Sequence, residues 1–256
     1  MPDRRWIVSA GLVLMVIACI LAGTFIVQFL PGYRSYASTV GAQAANRLDV
    51  QGRDATIIFL PRKGNRIKVA ASGRYSSHRP VVSARTANSE TYVIAQCPVQ
   101  NENCNVTVRI WLPPDIDVTA YSDNGAIQAN DLTGSLRLSS INGEIDVSGS
   151  SGQLSLQNQN SNINIENSRS RRVSATTVNG GVTAVFHAAP DFVDAGSRNG
   201  TVSLTVPFIA AAPDSYAISA HTTNGHSDIG VPNSANAGRK LIATSQNGDV
   251  VVQYGS

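Results

Sequence analysis

One eight-residue unit constrains this chain more than any other feature. Ser122 to Ala129 reads SDNGAIQA, and close copies follow it: Ser140 to Val147 (SINGEIDV), Asn158 to Ile165 (NQNSNINI), Thr177 to Ala184 (TVNGGVTA), Ser197 to Leu204 (SRNGTVSL), Thr222 to Ile229 (TTNGHSDI) and Ser245 to Val252 (SQNGDVVV). Their centres are Asn124-Gly125, Asn142-Gly143, Asn160-Ser161, Asn179-Gly180, Asn199-Gly200, Asn224-Gly225 and Asn247-Gly248, so the period starts at 18 residues (124 to 142) and drifts upward. Self-similarity at a fixed period marks a repeat architecture. Apolar residues stand six and four positions before each Asn and three and five after it, as in Leu136/Leu138 with Ile145/Val147 and Leu154/Leu156 with Ile163/Ile165, except that Ser227 replaces an aliphatic residue in the sixth unit. Each unit therefore reads as two short strands of period-two alternation on either side of a bend.

Two folds use such a pattern. Asn-Gly between alternating strands is a strong hairpin signal, because a type I′ turn needs positive φ at both central residues. A meander of hairpins would need a second, equally regular set of turns, and the intervening segments show only Leu132-Thr133-Gly134 and Gly149 to Gly152. A parallel stack explains more: equivalent residues lie about 4.8 Å apart, apolar positions form a continuous interior, and Asn and Ser/Thr form ladders at the corners. The expected fold is all-β, a single-stranded β-solenoid of Asn-Gly-cornered coils preceded by one N-terminal transmembrane helix. Seven coils at that rise make a stack about 30 Å tall. Asn160 is followed by Ser161, so one corner is expected to hold a non-glycine residue near the left-handed region. Phe208 to Ser215 and Gly230 to Lys240 interrupt the period and read as loops, where binding usually resides.

Residues 1–5 read as a short cytoplasmic tail and 6–30 as a transmembrane signal anchor. No charge stands between Arg5 and Arg34, and about 24 helical residues span roughly 36 Å, more than the hydrocarbon core. Arg4 and Arg5 favour a cytoplasmic amino terminus and an extracytoplasmic remainder. A cleavable signal peptide, with Ala42-Gln43-Ala44 as its site, is the weaker reading because its apolar region would be shorter. Val16-Ile17-Ala18-Cys19 resembles a lipoprotein box, but the residues after Cys19 stay apolar, which favours an ordinary intramembrane cysteine.

Residues 31–46 read as a tether, 47–114 as a β-rich N-terminal cap with the first coils, and 115–256 as the repeats. Strands are expected at 55–60, 66–71, 81–87, 91–96 and 105–112, all rich in Val, Ile, Thr and Tyr. Cys97 and Cys104 flank PVQNEN between two of them, and a disulfide stapling that hairpin is expected in an oxidising compartment. Nothing obvious follows the last strand, 249–254, so an uncovered edge carrying Val250, Val251 and Val252 invites self-association through the C-terminal coil.

Chemistry is sparse. Net charge is +3, and neither the basic stripe nor the aromatic platforms of a nucleic-acid binder are visible. Arg169, Arg171 and Arg172 form one cluster at a bend, read either as a solvated corner or as a contact for an anionic envelope polymer or lipid headgroup. Glu144 and Asp146 point outward from one coil, facing Asn162/Asn164 in the next, and Asp228 is too distant to complete a hydrolytic pair. His221 and His226 bracket one corner without ligand spacing. No catalytic residue, metal or cofactor is assigned.

The repeated [Ser/Thr]-x-Asn-Gly-x-[Ile/Val]-x-apolar unit, with LPPDIDVTAY at 112–121 before it and Tyr216 to Ile229 and Leu241 to Val252 closing it, resembles the bacterial "putative adhesin" domain family. The likeness covers about residues 110–254. It implies an envelope-associated, non-enzymatic β-solenoid and carries no functional residue, since the matching motif is structural. The expected function is a membrane-anchored module that binds or scaffolds at the bacterial cell envelope. The rivals are a self-assembling structural module and a partner-binding envelope-sensor ectodomain, for which five residues before the membrane leave almost no cytoplasmic signalling surface.

Overall fold

The computed structural model describes residues 33–98, 104–210 and 216–255. The membrane span and cytoplasmic tail expected at 1–30 lie outside the described residues, among which no helix is long and apolar enough to cross a membrane. The described chain is all-β. Before the repeats come β1 (Arg34–Gln43), β2 (Arg47–Arg53), β3 (Ala55–Pro61), β4 (Arg66–Tyr75), β5 (Val81–Ala87), β6 (Glu90–Gln96) and β7 (Asn105–Leu112). The repeats supply β8 (Asp117–Ser122), β9 (Ile127–Asn130), β10 (Leu136–Ser140), β11 (Ile145–Ser148), β12 (Leu154–Asn158), β13 (Ile163–Ser168), β14 (Arg172–Thr177), β15 (Val182–Phe186), β16 (Phe192–Asn199), β17 (Val202–Val206), β18 (Tyr216–Asn224), β19 (Ser227–Ile229), β20 (Arg239–Asn247) and β21 (Val250–Tyr254).

Each repeat sends its strand before the corner into one sheet and its strand after it into the other. Sheet A runs β1-β4-β7-β3-β9-β11-β13-β15-β17-β21-β19, and sheet B runs β18-β20-β16-β14-β12-β10-β8-β2-β6-β5. Pairing between repeats is parallel and in register: Leu136 stands beside Leu154 in sheet B while Ile145 stands beside Ile163 in sheet A. Alternation then aims the same four positions of each repeat but the outermost, β18/β19, inward, so Leu136, Leu138, Ile145 and Val147 are at most 1% exposed. Burying each such side chain contributes roughly 1.5–3 kcal/mol gross. Tyr216 belongs to the same core, and burial pushes its phenol up to about 12.

The ends of the sheets depart from chain order. The last strands, β20 and β21, insert between the β16/β17 repeat and the β18/β19 repeat, and Val250 and Val252 are fully buried. The expectation of an uncovered edge on Val250 to Val252 is therefore overturned. The outer position goes to the repeat with the most polar seam, in which Ser227, Asp228 and Ile229 are all exposed. The 230–238 loop is not a free bulge. Val231 is buried, and the Asn233 side chain accepts from the Ile218 amide and donates to its carbonyl, both at 2.9 Å, covering part of the β18 edge.

The other end shows the same inversion. β2 and β3 pair directly with β8 and β9, while β6 and β7, later in sequence, lie outside them. Antiparallel strands close this end, β4 on β7 and β5 on β6. The turn from β5 to β6 carries Asn88 (φ 53°) and Ser89 (φ 61°), the double positive φ of a type I′ hairpin, without a glycine. Part of the segment read as a tether, 31–46, is β1 instead; its Ser, Ala and Thr composition hides a strand that buries only Tyr36 and Ala42.

Ser203 on β17 is the register partner of Val251 on β21, and Asp228 on β19 lies one strand further out. Oxidation should therefore cross-link a Ser203→Cys/Val251→Cys variant. It should leave Ser203→Cys/Asp228→Cys open, as non-reducing electrophoresis would report.

Candidate functional site

The corner asparagines form one continuous hydrogen-bonded ladder. Nδ2 of Asn142 donates to Oδ1 of Asn124 (2.7 Å), Asn160 to Asn142 (2.8 Å), Asn179 to Asn160 (2.9 Å), Asn199 to Asn179 (2.8 Å), Asn247 to Asn199 (2.7 Å) and Asn224 to Asn247 (2.7 Å). Asn124 donates to a carboxylate oxygen of Asp54, which turns the chain from β2 to β3 at φ 55°. An ionised carboxylate only accepts, so Asp54 orients every amide in the row. Asp54 escaped the sequence reading, although Leu48, Val50, Ile57 and Phe59 stand at the repeat spacing around it. It is a further copy of the corner with Asp in place of Asn.

Behind the asparagines runs a second, buried ladder. The hydroxyl two residues before the Asn donates to the carbonyl of the glycine position in the neighbouring corner: Ser197 to Gly180 (2.7 Å), Thr222 to Gly248 (2.7 Å) and Ser245 to Gly200 (2.9 Å). Thr177 meets Ser161 in this way at 2.9 Å, and Asn158 reaches Gly143 with its amide at 2.7 Å. The glycines answer to close stacking rather than to backbone handedness. A methyl on Gly125, Gly143, Gly180, Gly200, Gly225 or Gly248 would overlap the backbone of the adjacent corner. Among these corner glycines only Gly248 has positive φ (153°).

The strain expected at Asn160-Ser161 is absent, because neither residue has positive φ. Asn158 Oδ1 instead accepts from the amides of both Asn160 (3.1 Å) and Ser161 (3.0 Å). Apart from Asp54, the left-handed residues of the repeats sit at the opposite bend: Asp131 (φ 51°), Gly149 (φ 65°) and Asn167 (φ 50°), 18 residues apart. Asp, Gly and Asn are the types that tolerate this region. Their spacing was the available signal for the second turn.

Cys97 and Cys104 are joined by a disulfide with Cα atoms 5.9 Å apart. It does not staple a hairpin, since β6 and β7 belong to different sheets. The bond closes an insertion at a corner, where the Cys97 amide donates to the Arg53 carbonyl (3.2 Å) beside Asp54. Arg169, Arg171 and Arg172 are all exposed at a bend. Arg171 pairs with Asp191 at 2.7 Å, and both line a shallow cleft of about 360 Å³ with Arg172, Ser151 and Gln153. One of the three arginines, Arg171, is thus already matched by a carboxylate.

On sheet A, Asn164 donates to both Glu144 (2.6 Å) and Asp146 (3.0 Å). Glu166, which the sequence reading did not single out, joins Gln128, Asn130, Asp146 and Asn164 around a cleft of about 290 Å³. Among the described residues no cluster of His, Cys, Asp or Glu has the make-up to hold a metal ion. His226 lies 3.7 Å from Asp249, and its backbone amide donates to the same carboxylate. Tyr121 and Tyr92 donate to Asp123 and Glu90, which raises both phenols.

No protein-family model matches the sequence, and no curated protein matches it significantly. Solved structures do. A "putative adhesin" from Bacteroides fragilis is 11% identical, covers 88% of this chain and 99% of its own, and superposes with a TM-score of 0.50. A "putative cell adhesion protein" from Clostridium sporogenes is 12% identical over 88% and 100% of the two chains, with a TM-score of 0.40. A "putative lipid binding protein" from Parabacteroides distasonis is 9% identical over 87% and 97%, with a TM-score of 0.42. What the Bacteroides fragilis protein shares with this chain is its fold.

The corner geometry predicts a ranking of stabilities in urea unfolding. Gly143→Ala should cost about 1–3 kcal/mol, because the Gly125 backbone has no room to yield. Asn142→Asp, which cannot donate to Asn124, should cost about 1 kcal/mol. Gln157→Ala, on an exposed outward position, should stay within about 0.5 kcal/mol of the parent.

Proposed function

We propose that this chain is a single-pass membrane protein whose extracytoplasmic part is a β-solenoid that binds or scaffolds at the bacterial cell envelope, adhesin-like and non-enzymatic. Residues 6–30 are its anchor, with the amino terminus in the cytoplasm. The observation that carries the solenoid is the simultaneous register of both sheets: one repeat supplies Leu136 to sheet B and Ile145 to sheet A, and the next supplies Leu154 and Ile163 directly beside them. Each strand pair is then one turn of a coil, and the corner ladders hold successive turns together.

Such a stack presents rows of identical pitch. On sheet A, Gln128, Asp146, Asn164, Thr183 and Ser203 are consecutive register partners on the outer face. Hydrogen-bonding groups repeating about every 4.8 Å on a stiff support suit an extended polymer better than a compact metabolite. The shared fold with a protein named an adhesin accords with this reading. A second reading, self-association, is favoured by the outer edge of β19, where Ser227 to Ile229 have no strand beyond them among the described residues.

Co-sedimentation separates these readings. The purified, detergent-solubilised chain should pellet with cell-envelope fragments and stay in solution without them, and Gln128→Ala/Asn164→Ala should lower the bound fraction several-fold. Pelleting without envelope would favour self-assembly, and no pelleting in either tube would contradict envelope binding.

A further inference from the structure

We propose that the outer face of sheet A at its β1-β4-β7-β3 end is a docking surface for anionic phospholipid headgroups. The charge of this chain is segregated. Residues 33–112 hold 11 Lys and Arg against 4 Asp and Glu, a net +7, whereas residues 113–256 hold 7 against 12, a net −5. All the basic residues of the first group are exposed. Among the described residues only Arg53 of that group makes an ion pair, with Asp123.

Register concentrates part of this charge on one face. Lys68 on β4 is the partner of Trp111 on β7, which is the partner of Leu60 on β3. One step along, Ala70, Arg109 and Ile58 form the adjoining row. Lys68 Nζ lies 5.1 Å from the centre of the Trp111 ring, and Arg66 follows on the same side of β4. The outward positions of β1, β4, β7 and β3 include no carboxylate; the first on sheet A is Asp146 on β11, two strands beyond β3. Exposed cations framing a half-buried Trp, Ile and Leu are the combination that suits a membrane interface. The cations meet phosphates, and the indole and aliphatic groups meet the acyl boundary.

The chain's own connectivity supports this occupant. The apolar run ends at Leu30, four residues before β1 begins at Arg34, and β1 is the neighbour of β4 in sheet A. An anchor formed by residues 6–30 would deliver this face to the lipid surface at high effective concentration. The inference rests on that proposed anchor. The acidic repeats, net −5, would be repelled by the same surface and left available to the envelope beyond it.

The lysine content provides a direct readout, because Lys63, Lys68 and Lys240 are the only lysines in the chain. The full chain would be reconstituted into nanodiscs of phosphatidylcholine alone or with one third phosphatidylglycerol, and amine acetylation of each lysine followed by mass spectrometry. On anionic discs Lys63 and Lys68 should label at least threefold more slowly relative to Lys240. Raising salt should abolish the difference, and R66Q/R109Q, which keeps both reporter lysines, should weaken it. Equal labelling on the two disc types in low salt would overturn the docking face while leaving the anchor intact. A chain washed off phosphatidylcholine discs at alkaline pH but held by anionic discs in low salt would instead contradict the anchor and support the face.

Discussion

Close backbone stacking at the Asn-Gly corners is the constraint on which the rest of this structure depends. Glycine lets one corner lie directly on the next, and the asparagine amide then spans the same short gap to its counterpart. Once the corners are aligned, period-two alternation leaves no choice about which side chains face inward. The core is a consequence of that alignment, four aliphatic positions at a time. Amides in a row polarise one another, so the ladder gains from its length. Asp54 gives it a defined end, an acceptor that cannot be reversed.

The same logic explains how the stack begins and ends. Interior repeats need neighbours on both sides, so each terminal position must go to a segment that tolerates exposure. At one end the chain folds back with antiparallel strands β4 and β5, whose outward positions carry much of the positive charge. At the other, the repeat with Ser227 in place of an aliphatic residue is moved outward, and the chain returns to lay β21, which opens with Val250 to Val252, against β17. Asn233, satisfying both backbone groups of Ile218, substitutes locally for a missing strand. The inversion at the C-terminal end puts the more apolar repeat inside.

Much of this was legible in the sequence. The inward positions, the corner asparagines and the strands from Ala55 to Leu112 followed from spacing and composition, because burial at period two leaves a pattern that no loop imitates. What was not legible depended on long-range choice. Nothing local distinguishes Val250 to Val252 as an inner strand, since their neighbours are selected by competition among repeats. β1 was hidden because a Ser/Ala/Thr strand of small side chains looks like a tether. Asp54 was hidden by a change from amide to carboxylate that preserves the acceptor. The glycines were found for the wrong reason: the expectation was positive φ, whereas most of them answer to a neighbouring carbonyl. The left-handed positions of the opposite bend, Asp131, Gly149 and Asn167, share no residue type and were visible only through their 18-residue spacing.

For the proposed function, the faces matter more than any cavity. A stack held by its corners keeps outward side chains at fixed pitch, and the separation of positive and negative charge along the chain gives its two regions different surfaces. The claim beneath all of this is that the corner amides are bonded to one another in register. It is tested most directly by side-chain amide hydrogen exchange, observed by NMR on protein labelled at asparagine. Asn124, Asn142, Asn160, Asn179, Asn199, Asn247 and Asn224 should show slow exchange that is lost together on unfolding. Exchange at the rate of a free asparagine side chain across the interior corners would contradict the ladder and the register built on it.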